Sequence, residues 1–344
     1  MSDNPFTLMF GKEPYLTIKR EQIVSDIDND FTSKYPTSQV YILLGARGVG
    51  KTVLLSELYS HFESMDEWVV ADVNPHRNIL EDLSSALLEK GKTKKLFLKP
   101  EFSISFKGIS FSLEGKEPVS SISSVAEKML IYLKKKNKKV LITLDEVVSN
   151  ERVKEFAHDF QGFVRKGYPV FLIMTGLYEN VSNLQNDKSL TFLYRAPKIL
   201  LEPLDMIAIK NSYRDVLNID EETAKKLTRL TSGYGFGYQL LGHLYFEHRK
   251  IDQKLIEEYD KQLRINAYDK IFSSVGENER KILFNLTKEE QRKTSDILSE
   301  LDLSNKEYSV YRERLLQRGL VISKQRGFLS IALPRFKEYL LERL

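Results

Sequence analysis

The octapeptide Gly45-Ala46-Arg47-Gly48-Val49-Gly50-Lys51-Thr52 constrains this 344-residue chain more than any other stretch. Its three glycines free the backbone from the usual φ limits, so successive N–H groups can turn toward one centre. The flanks decide whether such a loop has a use. Before it, Val40-Tyr41-Ile42-Leu43-Leu44 is a short apolar run of the kind shown by a strand buried on both faces. After it, Leu54, Leu55, Leu58 and Phe62 recur at helical spacing. A strand, a glycine-rich turn and a helix N-terminus together suit phosphate, because amides point inward and the helix dipole adds positive potential. In the pattern G-x-x-x-x-G-K-T, residues Gly45, Ala46, Arg47, Gly48, Val49 and Gly50 form the cradle. Lys51 then brings a charge to the β- and γ-phosphates, and the Thr52 hydroxyl is a ligand for Mg2+. ATP is the nucleotide expected, since no Asn-Lys-x-Asp segment for reading guanine occurs.

Such a loop needs an acidic partner at the end of another buried strand. The run Lys138-Lys139-Val140-Leu141-Ile142-Thr143-Leu144-Asp145-Glu146 supplies one. Asp145 would hold the magnesium and Glu146 would polarise the attacking water as a general base. A strand that ends in a solvated acidic turn is the plain alternative. A third apolar run, Val170 to Met174, ends in Thr175-Gly176. Thr175 would orient the water near the γ-phosphate or simply cap its strand. Trp68 to Val73 and Lys198 to Leu201 are further candidate strands. Strands alternating with helical stretches predict an α/β chain: a P-loop NTPase parallel sheet with helices on both faces and its ligand at the C-terminal strand ends.

Composition removes other chemistries. With no cysteine, disulfides, thiolate nucleophiles and cysteine metal sites are excluded. The five histidines, His61, His76, His158, His243 and His248, form no ligand-spaced cluster, so zinc is not expected. No apolar run approaches the ~20 residues that span a bilayer, and the start lacks the pattern of a secretory leader. A cytoplasmic protein without a membrane partner is therefore expected. The formal charge of +4 permits nucleic-acid binding without arguing for it. A protein kinase is a poor reading, because neither a His-Arg-Asp loop nor an Asp-Phe-Gly segment is present.

Together these motifs resemble the AAA+/STAND branch of P-loop ATPases, which includes archaeal-type ATPases and resembles the origin-recognition ATPases. The segment Asn4-Pro5-Phe6-Thr7, Phe10-Gly11 and Leu16 to Glu21 is similar to the opening of a bacterial group of AAA-type ATP-binding proteins. There an apolar-Gly-Arg-Glu element helps frame the adenine; here Lys19 stands in the glycine's place and only Arg20-Glu21 carries over. The stretches Leu141 to Val147, Thr175 to Leu184 and Ser189 to Ala196 also resemble that group's core. The resemblance implies that an arginine beyond the third strand, Arg195 by position, senses the γ-phosphate of its own or a neighbour's nucleotide. A loop ion pair is the alternative for Arg195. The stretch Thr231-Ser232-Gly233-Tyr234-Gly235-Phe236-Gly237-Tyr238-Gln239 resembles the Gly-Gly-Tyr-Pro turn of a helical lid, without the proline.

The same reading divides the chain into an ATPase core over 1–204, a helical lid over 205–265 and a winged-helix domain over 266–344. Alternation of apolar and polar residues on either side of Lys107-Gly108 predicts a β-hairpin inserted in the core near 101–113. Lys92, Lys94 and Lys95 before it are expected in a solvated loop. In the tail, a helix near 277–286, a second at 294–298, a third from 305 to about 318 and two strands around a basic turn make up the winged helix. Duplex DNA would meet Lys306, Arg312 and Arg314 on the third helix, with Lys324 and Arg326 gripping phosphate from the wing. Glu307 and Glu313 share that helix, and a protein-interaction role is the other reading. The function expected is a slow, Mg2+-dependent ATPase working as a nucleotide-gated switch. The rivals are a DNA-binding adaptor or loader in which ATP is structural, and a scaffold that forms homo-oligomers on ATP and signals through protein partners.

Overall fold

Apolar runs with no room for a polar face pair into the central sheet. The computed structural model describes residues 3–8, 14–89, 91–97, 104–106, 109–111, 121–187, 190–301 and 303–344. It divides into two compact units. One comprises residues 21–43 and 54–199, and the other residues 1–20, 44–53 and 200–344.

In the first unit the chain runs α1 (Glu21–Thr32), β1 (Val40–Leu44), α2 (Lys51–Glu63), β2 (Trp68–Val73), α3 (Ile79–Glu89) and α4 (Gly91–Phe97). A short hairpin of β3 (Ile104–Phe106) and β4 (Ile109–Phe111) follows, then α5 (Ile122–Lys135), β5 (Lys139–Leu144), α6 (Glu151–Arg165), β6 (Val170–Gly176), α7 (Tyr178–Gln185), α8 (Thr191–Arg195) and β7 (Lys198–Leu200). Five strands form one sheet in the order β2-β5-β6-β1-β7. β2, β5 and β6 pair in parallel, with Val69 opposite Val140 and Leu141 opposite Phe171. Of the inner strands, β5 is buried almost throughout and β6 along its whole length. A sheet covered in this way needs apolar residues at consecutive positions, which is why these strands read as runs. Helices α5 and α6 enter from polar caps: Ser121 accepts from the Ser124 amide at 3.2 Å and Asn150 from the Val153 amide at 2.8 Å.

Aromatic packing ties the start of the sheet to α1. Phe31, Phe62, Trp68 and Phe171 are all buried, with ring centroids 4.6 Å apart for Phe62 and Trp68 and 4.7 Å for Phe31 and Phe171. The Lys139 amine lies 5.1 Å over Trp68 and donates to the Phe31 carbonyl at 2.9 Å, so burial there lowers its pKa. Lys94 and Lys95 fall on helix α4 rather than in the expected loop. The reason is a tertiary contact: Phe97 is buried beside Tyr132, whose hydroxyl donates to the Leu96 carbonyl at 3.1 Å. In the hairpin, Ile104, Ser105 and Phe106 face Phe111, Ser110 and Ile109, while the proposed turn Lys107-Gly108 and the flanking Phe102 and Leu113 lie outside the described residues.

The second unit is mainly helical. It holds α9 (Met206–Leu217), α10 (Glu221–Thr231), α11 (Gly235–His248), α12 (Gln253–Leu263), a π-helical turn (Arg264–Tyr268) and α13 (Asp269–Ser273). Phe6, from the start of the chain, is buried against Tyr213 and Tyr238. Its ring crosses α11 at Gly242, where a Cβ would come within 2.4 Å of it. No larger residue fits there without displacing the ring.

The rest of this unit runs α14 (Glu277–Leu286), β8 (Arg292–Lys293), α15 (Thr294–Glu300), α16 (Asn305–Gln317), β9 (Val321–Ile322), β10 (Phe328–Ile331) and α17 (Phe336–Leu341). The three strands pair antiparallel in the order β8-β10-β9. A charged knot fixes α15 to β8. Arg292, almost wholly buried, meets Glu300 at 2.6 Å, Lys288 meets the same carboxylate at 2.5 Å, and Asn285 donates to it at 2.9 Å. The Arg292 and Lys288 bonds hold the Glu300 pKa down to about 2. Because the folded value is depressed, the stabilisation is complete above the ordinary 4.5 and is lost as pH falls toward about 2. Glu300→Gln is therefore expected to be less stable than the parent at pH 6, and the gap should close across that acid window in urea unfolding followed by circular dichroism.

Candidate functional site

The glycine-rich loop lies in the mainly helical unit, and its carbonyl groups are occupied one after another. The Lys51 ammonium, 8% exposed, donates to the carbonyls of Gly45 and Ala46, both at 2.9 Å. The Tyr234 hydroxyl donates to the Arg47 carbonyl at 2.6 Å, and the Phe236 amide to the Gly48 carbonyl at 2.8 Å. The Arg20 guanidinium donates to the Val49 carbonyl at 3.3 Å and to the Glu202 carbonyl at 2.8 Å. The amides behave differently. Among the described residues those of Arg47, Gly48 and Gly50 have no acceptor, while the Val49 amide closes a turn on Ala46 at 3.3 Å. Acceptors satisfied and donors left over make a concavity that suits an anion.

Local backbone geometry explains the glycines. Gly48 has φ +78°, and a Cβ on it would come within 2.4 Å of the Tyr234 oxygen. Gly50 has φ +101° and faces open space. Tyr234 itself is buried, which pushes its phenol above the ordinary value and keeps it a donor. Gly319, at the end of α16, also comes close: a Cβ there would lie 3.4 Å from the Ala46 nitrogen. Thr52 sits in the first turn of α2.

In the sheet unit, β5 delivers Asp145 and Glu146 just past its last residue, Leu144. Thr175, on the neighbouring strand β6 and fully buried, donates its hydroxyl to Asp145 and accepts from the Glu146 amide at 2.9 Å. The Glu146 amide also reaches Asp145 Oδ1 at 3.1 Å. These bonds hold Glu146 at φ +50°, a left-handed backbone that costs a non-glycine residue about 1 kcal/mol. The result is an exposed Glu146 side chain beside a half-buried Asp145. Among the described residues no three acidic or histidine side chains cluster as a metal cage. The Asp145 carboxylate is a donor of the kind Mg2+ commonly takes in ones or twos, with phosphate oxygens and water in its other positions.

The remaining sequence candidates are dispersed. Arg195 ends α8, is exposed and makes no ion pair among the described residues. On α16, Lys306 and Arg314 are eight residues apart and share one face with the exposed Val310. Arg312 is two residues from Arg314, a step of about 200° around the helix, and is half-buried. Glu307 on this helix folds back, accepting from the Ser304 amide at 3.0 Å and hydroxyl at 2.6 Å as its N-terminal cap. Lys324 and Arg326 are exposed in the turn between β9 and β10. Sequence reasoning assigned no part in the loop to Tyr234 or Phe236, and nothing in their spacing signals a bond between residues 187 positions apart. Thr175→Val keeps the shape but removes the hydroxyl from a buried network, and is expected to cost about 1–3 kcal/mol in urea unfolding, with Thr175→Ser close to the parent.

Residues 266–340 match a family described as a domain of unknown function, DUF8462. No curated protein sequence matches the chain. Among solved structures it is similar to the Walker-type ATPase PABY2304 of Pyrococcus abyssi, with 16% identity, a TM-score of 0.63, and coverage of 94% of this chain and 96% of that one. The ORC2 protein of Aeropyrum pernix, solved in ADPNP and ADP complexes, shares 14% identity over 94% of this chain and 91% of its own, with a TM-score of 0.53. Cdc6p of Pyrobaculum aerophilum shares 16% identity over 99% and 97%, with a TM-score of 0.51. Among the described residues no helix is long and apolar enough to cross a membrane. Likenesses that run almost end to end, joined to the five-stranded sheet and its glycine-rich loop, give this chain the fold of the AAA+, origin-recognition-like P-loop ATPases.

Proposed function

We propose that the chain binds ATP with Mg2+, hydrolyses it slowly and works as a nucleotide-gated switch, with 205–265 as its lid and 266–344 as a winged-helix output. The observation that carries this reading is the loop, whose carbonyls from Gly45 to Val49 are all held while the Arg47, Gly48 and Gly50 amides keep their donors. The fold shared with the Walker-type ATPase of Pyrococcus abyssi supports it.

In this reading the amides of Arg47, Gly48 and Gly50 bind the phosphates and Lys51 leaves its two carbonyls to meet them. Thr52 and Asp145 are the residues that would hold the metal, which when bound would neutralise phosphate charge. Glu146 orients and deprotonates water, and Thr175 acts by positioning both carboxylate residues rather than by touching substrate. Arg195, exposed and without an ion-pair partner among the described residues, has its charge available for a phosphate. Because Tyr234 and Phe236 stand at the start of α11, a change in the loop's shape is felt at once by the lid helices.

Two variants test the reading. Lys51→Ala is expected to weaken ATP binding by about tenfold or more in calorimetric titration, the loss of a charge-assisted contact. Glu146→Gln is expected to bind ATP as the parent does while turnover falls by about 100-fold or more. Equal turnover in parent and Glu146→Gln would sink the hydrolytic part. Duplex DNA added to the same assay separates outputs: stimulated turnover favours a DNA-coupled switch, and salt-sensitive DNA binding that ignores nucleotide favours the adaptor.

A further inference from the structure

The glycine-rich loop is shaped from outside itself, by two side chains that approach it from distant parts of the sequence. A trans peptide is planar, with its C=O and N–H pointing in opposite directions, so a bond that holds one carbonyl also aims the amide that follows. The Tyr234 hydroxyl on the Arg47 carbonyl thereby directs the Gly48 N–H. The Arg20 guanidinium on the Val49 carbonyl directs the Gly50 N–H in the same way. These are two of the amides that have no acceptor among the described residues.

We propose that Tyr234 and Arg20 are positioning residues for phosphate binding, acting through the Arg47 and Val49 carbonyls to aim the Gly48 and Gly50 amides at the nucleotide. Both are anchored for that task. Tyr234 is buried and precedes α11, and its approach admits only glycine at position 48. Arg20 bridges two carbonyls, Val49 and Glu202, and so ties the loop to the segment after β7. The role differs from framing a base, since both contacts lie on the backbone of the phosphate loop. Free peptide flipping at Gly48 and Gly50 would otherwise be easy, because glycine populates both signs of φ.

This inference rests on the nucleotide-binding reading above. The test compares parent, Tyr234→Phe, Arg20→Gln and Arg20→Lys in two measurements. Calorimetric titration with ATP and with ADP reads affinity, and amide hydrogen exchange of the nucleotide-free protein reads the loop. Each of Tyr234→Phe and Arg20→Gln is expected to weaken both nucleotides by about five- to tenfold, the size of one lost hydrogen bond. Exchange should quicken over residues 45–52 while α9, α10 and α12 stay protected. Arg20→Lys, which retains a charged donor on a long side chain where glutamine has a shorter neutral one, should fall between parent and Arg20→Gln. Affinity and loop exchange unchanged in both variants would overturn the inference while leaving the nucleotide site standing. Exchange that quickens throughout the helical unit would reduce the two residues to general packing and would also overturn it. A parent that binds neither nucleotide overturns the underlying reading and this inference together.

Discussion

A peptide unit is rigid, so whatever holds its carbonyl also points its amide, and the glycine-rich loop depends on that constraint. Five carbonyls in a row, from Gly45 to Val49, accept hydrogen bonds from Lys51, Tyr234, Phe236 and Arg20. With acceptors saturated on one side, the loop presents amide hydrogens on the other. Carbonyls held in this way restrain the peptide units of the loop from flipping, the kind of restraint that lowers the entropy lost on binding. It also makes the loop a meeting point for the N-terminal segment, the turn before α11 and, through Gly319, the end of α16. A ligand that moves the loop therefore acts on three separate stretches of chain.

The acidic strand end follows the same logic with different groups. Asp145 and Glu146 would be an ordinary polar turn if the chain left β5 in a relaxed conformation. Instead, the buried Thr175 hydroxyl and the Asp145 carboxylate hold the Glu146 amide, and Glu146 takes a left-handed backbone. Strain of about 1 kcal/mol is retained because two bonds over-determine it. The consequence is a split between neighbours, with one carboxylate engaged at its strand and the next standing out in solvent. The metal and water roles proposed for Asp145 and Glu146 ask for that division of labour.

The C-terminal module has a different balance. Several of its charged interactions are internal: the Arg292–Lys288–Glu300 knot, the Glu307 cap of α16, and Arg343, which meets Asp269 at 2.6 Å. Much of its charge is thus spent on its own architecture. Among the residues that stay exposed are Lys306, Val310 and Arg314 along one face of α16, and Lys324 and Arg326 in the β9–β10 turn. Glu307 and Glu313, three residues either side of Val310 and both exposed, make the charge of that face mixed rather than uniformly basic.

The amino-acid sequence by itself determined the strand, turn and helix that carry the loop, since consecutive apolar residues from Val40 to Leu44 and glycines at 45, 48 and 50 admit few other local structures. It likewise determined the acidic strand end, because Val140 to Leu144 has no polar side to expose before Asp145. Local helix signals were weaker where burial came from afar: α4 reads as a lysine-rich loop until Phe97 is seen against Tyr132. Arg20 and Tyr234 were legible only as parts of a resemblance, and their bonds to the loop were not, because a hydrogen bond across 29 or 187 residues leaves no periodicity in the chain. Local pattern specifies backbone shape, whereas the partners that satisfy a carbonyl are chosen by the packing that brings distant segments together, and only the tertiary structure decided those.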